Sequence, residues 1–406
     1  MPKDAQLLTV SKDPKDGGQY RTINEALKTA KPWATVRVLD AATYPESILL
    51  NDPAKHEGIM LEAVKQATIA ATDQNPRALA IHGTPRVRIN GFRFRRDSQA
   101  PSAVPLITVS SACPGVVLER LHLQTATPPS GLVLNRVTVP AVEEPMIVRY
   151  CRIEGGDSGI QLYGPTGSSA EGWTGFNGIL IHDNHVSGCN RGIDIEGAAR
   201  GVWIVGNVVF GCRQTAVQWD DLPPAAEQIL VANNTLFNNQ CALRFWDDPP
   251  VEELKPGQVE IRNNLLFDSA GGDIEYHIGR SDGSGSSSDE RSAALTKLWR
   301  FSHNHREPAG SAAAPLAVGD RVLERLDLLS REPADPGYLR PKADSPLASG
   351  GAGKEDPWLP TYVGAVPPQG VERWDWDRAW KARTRQLQPF EKKVAEIKTD
   401  DADADG

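Results

Sequence analysis

The sequence predicts an all-β solenoid: a right-handed parallel β-helix with an N-terminal helical cap and a C-terminal extension. Three observations carry that reading. Five segments, Met146–Tyr163, Ile179–Glu196, Val202–Asp220, Ile229–Trp246 and Val259–His277, fit one template. Asn184, Asn207, Asn234 and Asn264 fall at one position of it, with Cys151 in the same slot of the first segment. Each segment closes on an alternating triplet: Ile160-Gln161-Leu162, Ile193-Asp194-Ile195, Val217-Gln218-Trp219, Leu243-Arg244-Phe245 and Ile274-Glu275-Tyr276. Alternation of period two makes these pieces strands, and self-similarity at this length marks a repeat. A unit so short cannot bury its apolar face alone, so neighbours must stack. Stacking at about 4.8 Å, the strand spacing, turns the asparagines into a ladder of side-chain amides. Ile160, Ile193, Val217, Leu243 and Ile274 then form one inward row, and Leu162, Ile195, Trp219, Phe245 and Tyr276 a second.

The repeated Asn register resembles that of the pectin lyase-like superfamily, whose β-helix coils carry such ladders. The chain ahead of it supports the same assignment. Leu7–Val10 reads as a strand, and Thr22-Ile23-Asn24-Glu25 has the form of a capping box. Ile23, Ala26, Leu27 and Ala30 share one face of the helix that follows. Val36–Leu39 is the next strand. Tyr20–Ala26 and Ala42–Glu46 resemble the "Y-T-I-x-x-A" helix and "G-x-Y-x-E" strand at the N-terminus of pectin methylesterases, which cover the open end of the solenoid. Residues 58–140 hold less regular strands, read as the first coils, with Asn90-Gly91 as a turn. A Gly-rich excursion, Gly164–Gly178, carries Trp173 and Phe176; such insertions on a solenoid fall on one face and often build a site.

Residues 278–299 are Gly/Ser-rich. Phe301–His305 reads as a last partial coil with Asn304 in the ladder register and His303 and His305 as an exposed pair. Residues 337–365 resemble the closing segment "Y-R-L-x-P-x-S-P-A-x-x-x-G … I-G-A" of many bacterial β-helix proteins. Trp374–Lys398 reads as helix and Asp400–Gly406 as an acidic tail. The division expected is 1–35 for the strand and capping helix, 36–306 for the β-helix and 307–406 for the extension.

The outward positions of the closing triplets are where chemistry is expected. They make two parallel ribbons: Gln161, Asp194, Gln218, Arg244, Glu275, and Tyr163, Glu196, Asp220, Trp246, His277. Asp221 and Asp247 follow at the strand ends. Carboxylates at Asp194, Glu196 and Asp220 supply general acid and base, and Arg244 pairs with the carboxylate of an acidic sugar. Trp246 offers a stacking surface. Gln161, Tyr163, Trp173, Gln218, Asp247 and His277 complete the substrate-binding set. Glu196 and Asp220 lie at one template position on adjacent coils, so repulsion should raise one pKa. The other outcome is calcium, with Asp220 and Asp221 as ligands and Gln218 as a further oxygen; no other cofactor is implied. The polar face also reads as solvated surface.

Three functions follow: a polysaccharide lyase or glycoside hydrolase acting on acidic polysaccharide, a non-catalytic carbohydrate-binding protein, or a structural or protein-interaction solenoid. The pectin methylesterase motifs Q-D-T-L, D-F-I-F-G and L-G-R-P-W do not occur. Nor do the polygalacturonase set or the pectate lyase W-I-D-H. No catalytic residue is therefore transferred by motif. The net charge of -8 argues against a nucleic-acid or anionic-membrane partner, leaving a polysaccharide or oligosaccharide. The five cysteines are odd in number; Cys189 and Cys212 read as buried, stacked side chains. No apolar signal region opens the chain, so the expectation is a cytoplasmic protein, or one module of a longer parent.

Overall fold

The structure, a computed structural model, describes residues 5–96, 104–125, 130–138, 144–164, 176–197, 199–220, 227–246, 259–277, 299–307 and 319–384. It is a right-handed parallel β-helix. Among the described residues three parallel sheets run its length: A and B with eleven strands each, and C with nine. Each regular coil contributes one strand to each. In the second repeat these are Phe176–His182 in A, His185–Ser187 in B and Arg191–Glu196 in C. In the five regular segments the sequence reading had two strands per coil; the sheet B strand is the addition there.

The corner from A to B explains why asparagine recurs. The residue before the ladder position sits in the left-handed region: Arg120, Tyr150, Asp183, Asn233, Asn263 and His303 have φ between 51° and 58°. That sharp bend leaves backbone groups that the ladder satisfies. Asn184, Asn207, Asn234 and Asn264 each donate Nδ2 to the Oδ1 of the next asparagine, at 3.0, 3.1, 3.0 and 3.0 Å, ending on Asn304. Each Oδ1 also takes a backbone N–H from the coil before, beginning with Cys151 onto Asn184 at 3.0 Å. A second, shorter ladder runs beside it, with Asn263 donating to Asn233 at 3.1 Å.

The interior is the aliphatic core the pattern requires. Ile160, Ile193, Val217, Leu243, Leu162, Ile195, Trp219 and Phe245 are fully buried, and Ile274 packs against them. Trp219 and Phe245 stack at 5.2 Å, and Trp299 lies 4.8 Å from Phe245. All five cysteines are free and buried. At the start, the helix Ile23–Thr29 carries the capping box and buries Ile23, Ala26 and Leu27. Glu46, of the Tyr-x-Glu strand, accepts the N–H groups of Ile23 and Asn24 at 3.0 and 2.8 Å. A carboxylate at a helix N-terminus meets unpaired donors and the positive end of the dipole.

Among residues 319–384, two apolar groups lie against the outside of the solenoid. Trp376, Ala379 and Trp380, in the helix over 376–384, pack with Ala352 and Leu359 on Leu180, Trp203, Val205, Leu230 and Ala232 of sheet A. Leu326, Leu339, Leu347 and Val363 pack on Val208, Leu265 and Phe267 of sheet B. There Phe210, Phe237 and Phe267 stack at 5.0 Å intervals. Buried Arg262 donates to Asp356 at 2.8 Å, and Asn233 donates to the Tyr362 carbonyl at 2.8 Å. His305 departs from expectation: it is fully buried, not exposed, because the 346–351 turn brings Gly350 against its ring. Among the described residues no helix is long and apolar enough to cross a membrane.

Candidate functional site on sheet C

The closing segment covers sheets A and B, whereas the polar ribbons lie on sheet C. Their register is the one the template requires. Gln161, Asp194, Gln218, Arg244 and Glu275 are successive partners, as are Tyr163, Glu196, Asp220, Trp246 and His277. The side chains of Trp246 and His277, and all of Trp173, Asp221 and Asp247, lie outside the described residues.

Asp194, Glu196 and Asp220 converge, with ligand oxygens within 4.8 Å of one another. Their exposures differ. Glu196 keeps 21% of its side chain in solvent, whereas Asp194 is fully buried. Outward parity thus does not mean exposure for Asp194, because charged neighbours at the strand spacing close over it. Ser158 Oγ donates to its Oδ2 at 3.0 Å, and the Arg191 guanidinium stands 3.0 Å from the same oxygen. Oδ1 has no hydrogen-bond partner among the described residues. Burial pushes the Asp194 carboxyl up to about 7; Glu196 and Asp220 add to the rise, while Arg191 and Ser158 oppose it. The raised group is therefore the buried acid of the cluster.

The two outer carboxylates are held from the side. Gln161 donates Nε2 to Glu196 at 2.9 Å and accepts from Ser130 at 3.1 Å. Gln218 donates to Asp220 at 2.9 Å. Arg244 donates Nε to Glu275 of the next coil at 2.9 Å. A cation that contacts the cluster is Arg191, which also contacts Asp157 at 2.6 Å and Glu196 at 3.7 Å. Sequence reasoning passed over Arg191 and Ser158, although both occupy one template slot just ahead of the triplets. Tyr163 is 45% exposed at the edge of the same face. As hard oxygen donors, the three carboxylates suit a cation such as calcium. Gln218 Oε1, buried without a partner among the described residues, is a fourth oxygen beside them.

No protein-family profile matches the chain, and no curated protein does. Solved structures do. The chain is similar to pectate lyase Pel9A, with 12% identity over 90% of this chain and 96% of that one and a TM-score of 0.51. Others are a GH136 lacto-N-biosidase from Eubacterium ramulus, at 12% identity over 75% of this chain and 60% of that one, TM-score 0.49, and a rhamnogalacturonan lyase, at 11% identity over 82% and 95%, TM-score 0.44. What the likeness shows is the fold, a parallel β-helix.

Proposed function

We propose that the chain is a carbohydrate-active protein that cleaves an acidic polysaccharide by acid–base chemistry on sheet C. The observation that carries this reading is the carboxylate trio. A buried acid raised to about 7 lies beside two less buried carboxylates, on sheet C, whereas the described C-terminal residues pack on sheets A and B. A buried carboxyl with a raised pKa beside two further carboxylates is an arrangement that acid–base sites use. Glu196 and Asp220 are the groups that meet the sugar. Asp194, without exposed surface, is a positioning residue that holds a proton between them. The pectate lyase and rhamnogalacturonan lyase of the same fold act, by their names, on related polymers.

The spacing favours one chemistry. Inverting hydrolysis needs the acid and base about 6.5–9.5 Å apart to admit a water, and these oxygens are closer. Direct attack at the anomeric carbon or abstraction of a ring proton fits better. The alternative is calcium in place of the Asp194 proton, held by ionised Asp194 with Glu196, Asp220 and Gln218, where it would neutralise a uronate carboxylate. The deciding experiment is a polysaccharide panel read for both unsaturated products and new reducing ends. Unsaturated ends identify a lyase and reducing ends alone a hydrolase. Saturable binding without products would leave a carbohydrate-binding protein, and neither binding nor products would leave an interaction solenoid.

A further inference from the structure

The outer face of sheet B changes character along the solenoid. Successive partners in one row are Arg93, His122, Arg152 and His185, then Val208, Thr235 and Leu265. The apolar part lies beneath residues 326–363. The basic part does not, and at its corner with sheet A it opens into a cleft of about 380 Å³ lined by Gln66, Arg93, Arg120, His122, Tyr150 and Arg152. That volume is within the range of small-ligand sites.

The cleft holds cationic groups that the acids among the described residues engage only in part. Glu119 is fully buried and engaged by Arg88 at 2.7 Å and Arg149 at 2.8 Å, leaving Arg120 a distant 3.5 Å contact. Glu154 accepts from Arg152 at 2.6 Å, His122 at 2.8 Å and Gln124 at 3.1 Å. Those hydrogen bonds outweigh burial and hold its carboxyl down at about 2. Arg93 has no ion pair among the described residues, and its Nε is buried without an acceptor. Arg120 keeps 61% of its side chain exposed. Beside them the Tyr150 ring, 40% exposed, lies 5.7 Å from the Arg120 guanidinium. This concentration of guanidinium stands on a chain of net charge -8.

We propose that this corner cleft is a second binding site, separate from sheet C, that takes a sugar-sized organic anion. The forked donors of Arg93 and Arg120 grip its carboxylate, sulfate or phosphate, and Tyr150 faces its ring. A bare inorganic anion would leave most of the volume empty and the ring unused.

Calorimetric titration of the full chain with galacturonic acid, galactose 6-sulfate, galactose 6-phosphate, galactose and inorganic phosphate tests this. At least one acidic sugar should bind in the millimolar range or tighter, at least tenfold more tightly than galactose or inorganic phosphate. Arg93→Gln/Arg120→Gln should weaken it at least tenfold with unchanged thermal unfolding, whereas Glu196→Gln on sheet C should leave it unaltered. The relative affinities of the three acidic sugars identify the anionic group. Equal binding of inorganic phosphate would make this a bare anion site and overturn the proposal. So would binding by the double variant at parental affinity, or no binding by any acidic sugar. If the double variant fails to fold, Tyr150→Ala with Arg120→Lys replaces it, with the same loss expected. Because the sheet C variants are read separately, failure here leaves the proposed function standing.

Discussion

Gln161 reaches across from one coil to donate its amide to Glu196 of the next, at 2.9 Å. The contact fixes one carboxylate of the trio from outside its own strand. A glutamine at position 196 keeps an oxygen for that amide, so folding should be little changed. Glu196→Gln and Asp220→Asn should each lower turnover by about 100-fold or more, the usual scale for a lost acid or base. Product formation on a responsive polysaccharide is the readout. Parental rates in both variants would remove the cluster from the chemistry.

The pH dependence should follow Asp194. Its folded-state value of about 7 lies above the ordinary 3.8. Between about pH 4 and 7 the folded chain therefore holds a proton there that the unfolded chain has released, and stability falls as pH rises. Above about pH 7 the effect is complete, with a ceiling of about 4 kcal/mol. Asp194→Asn removes this component. The stability of the variant relative to the parent should rise across that window when denaturant unfolding is measured at a series of pH values. A difference that stays flat would place the Asp194 carboxyl near its ordinary value.

Calcium should compete with that same proton. Binding requires the ionised carboxyl, so affinity should be higher at pH 8 than at pH 6, by up to about tenfold per unit below 7. Calorimetry in two buffers of different ionisation enthalpy also reports the released proton. A pH-independent affinity, or no heat at all, would remove calcium from the trio.

The ladder should show in stability. Asn207 donates to Asn234, Ile181 and Val205 and accepts from Asn184. Asn207→Ala strands several of these fully buried groups, each at about 1–3 kcal/mol. Thermal unfolding should drop by several degrees at least, and a parental midpoint would mean that the amides matter little.

Arg262 makes a comparable prediction for the wrapped segment. It is fully buried and bonds Asp356 and Ser302 at 2.8 and 2.9 Å. Arg262→Met leaves Asp356 without its partner, at about 3–5 kcal/mol. Limited proteolysis should then cut first between residues 350 and 370. Cleavage confined to other regions would show that the apolar contacts alone retain the segment.

The repeats were legible because period and register were written in residue type. Asn184, Asn207, Asn234 and Asn264 each precede the same apolar step, and no surface requirement produces that coincidence. In the regular coils the sheet B strands escaped because they are short, three residues at Val208–Phe210, too few for alternation to register. The corners at Arg120 and Tyr150 escaped because their left-handed φ is imposed by the coil and not announced by glycine. On sheet C, the register of Glu196 and Asp220 could be read, but the burial of Asp194 could not. It depends on Arg191 and Ser158 folding over from the strand starts. Arg244 pairs with Glu275, which stands one coil further on at the same slot. His305 went from exposed to buried through Gly350, a contact between distant parts of the chain that no local pattern records.

A stack of coils is by nature a one-dimensional object, in which each layer senses only those above and below and melting can start at either end. Residues 320–377 change that dimensionality. They touch Arg149, Asp183, Asn233, Asn263 and Asn304 in turn, through Asp377, Arg373, Tyr362, Pro360 and Asp320. A fluctuation that loosens one layer must therefore strain a lengthwise splint anchored on several others. The carboxylate trio sits on coils within that splinted span, so its geometry is held by layers it never touches.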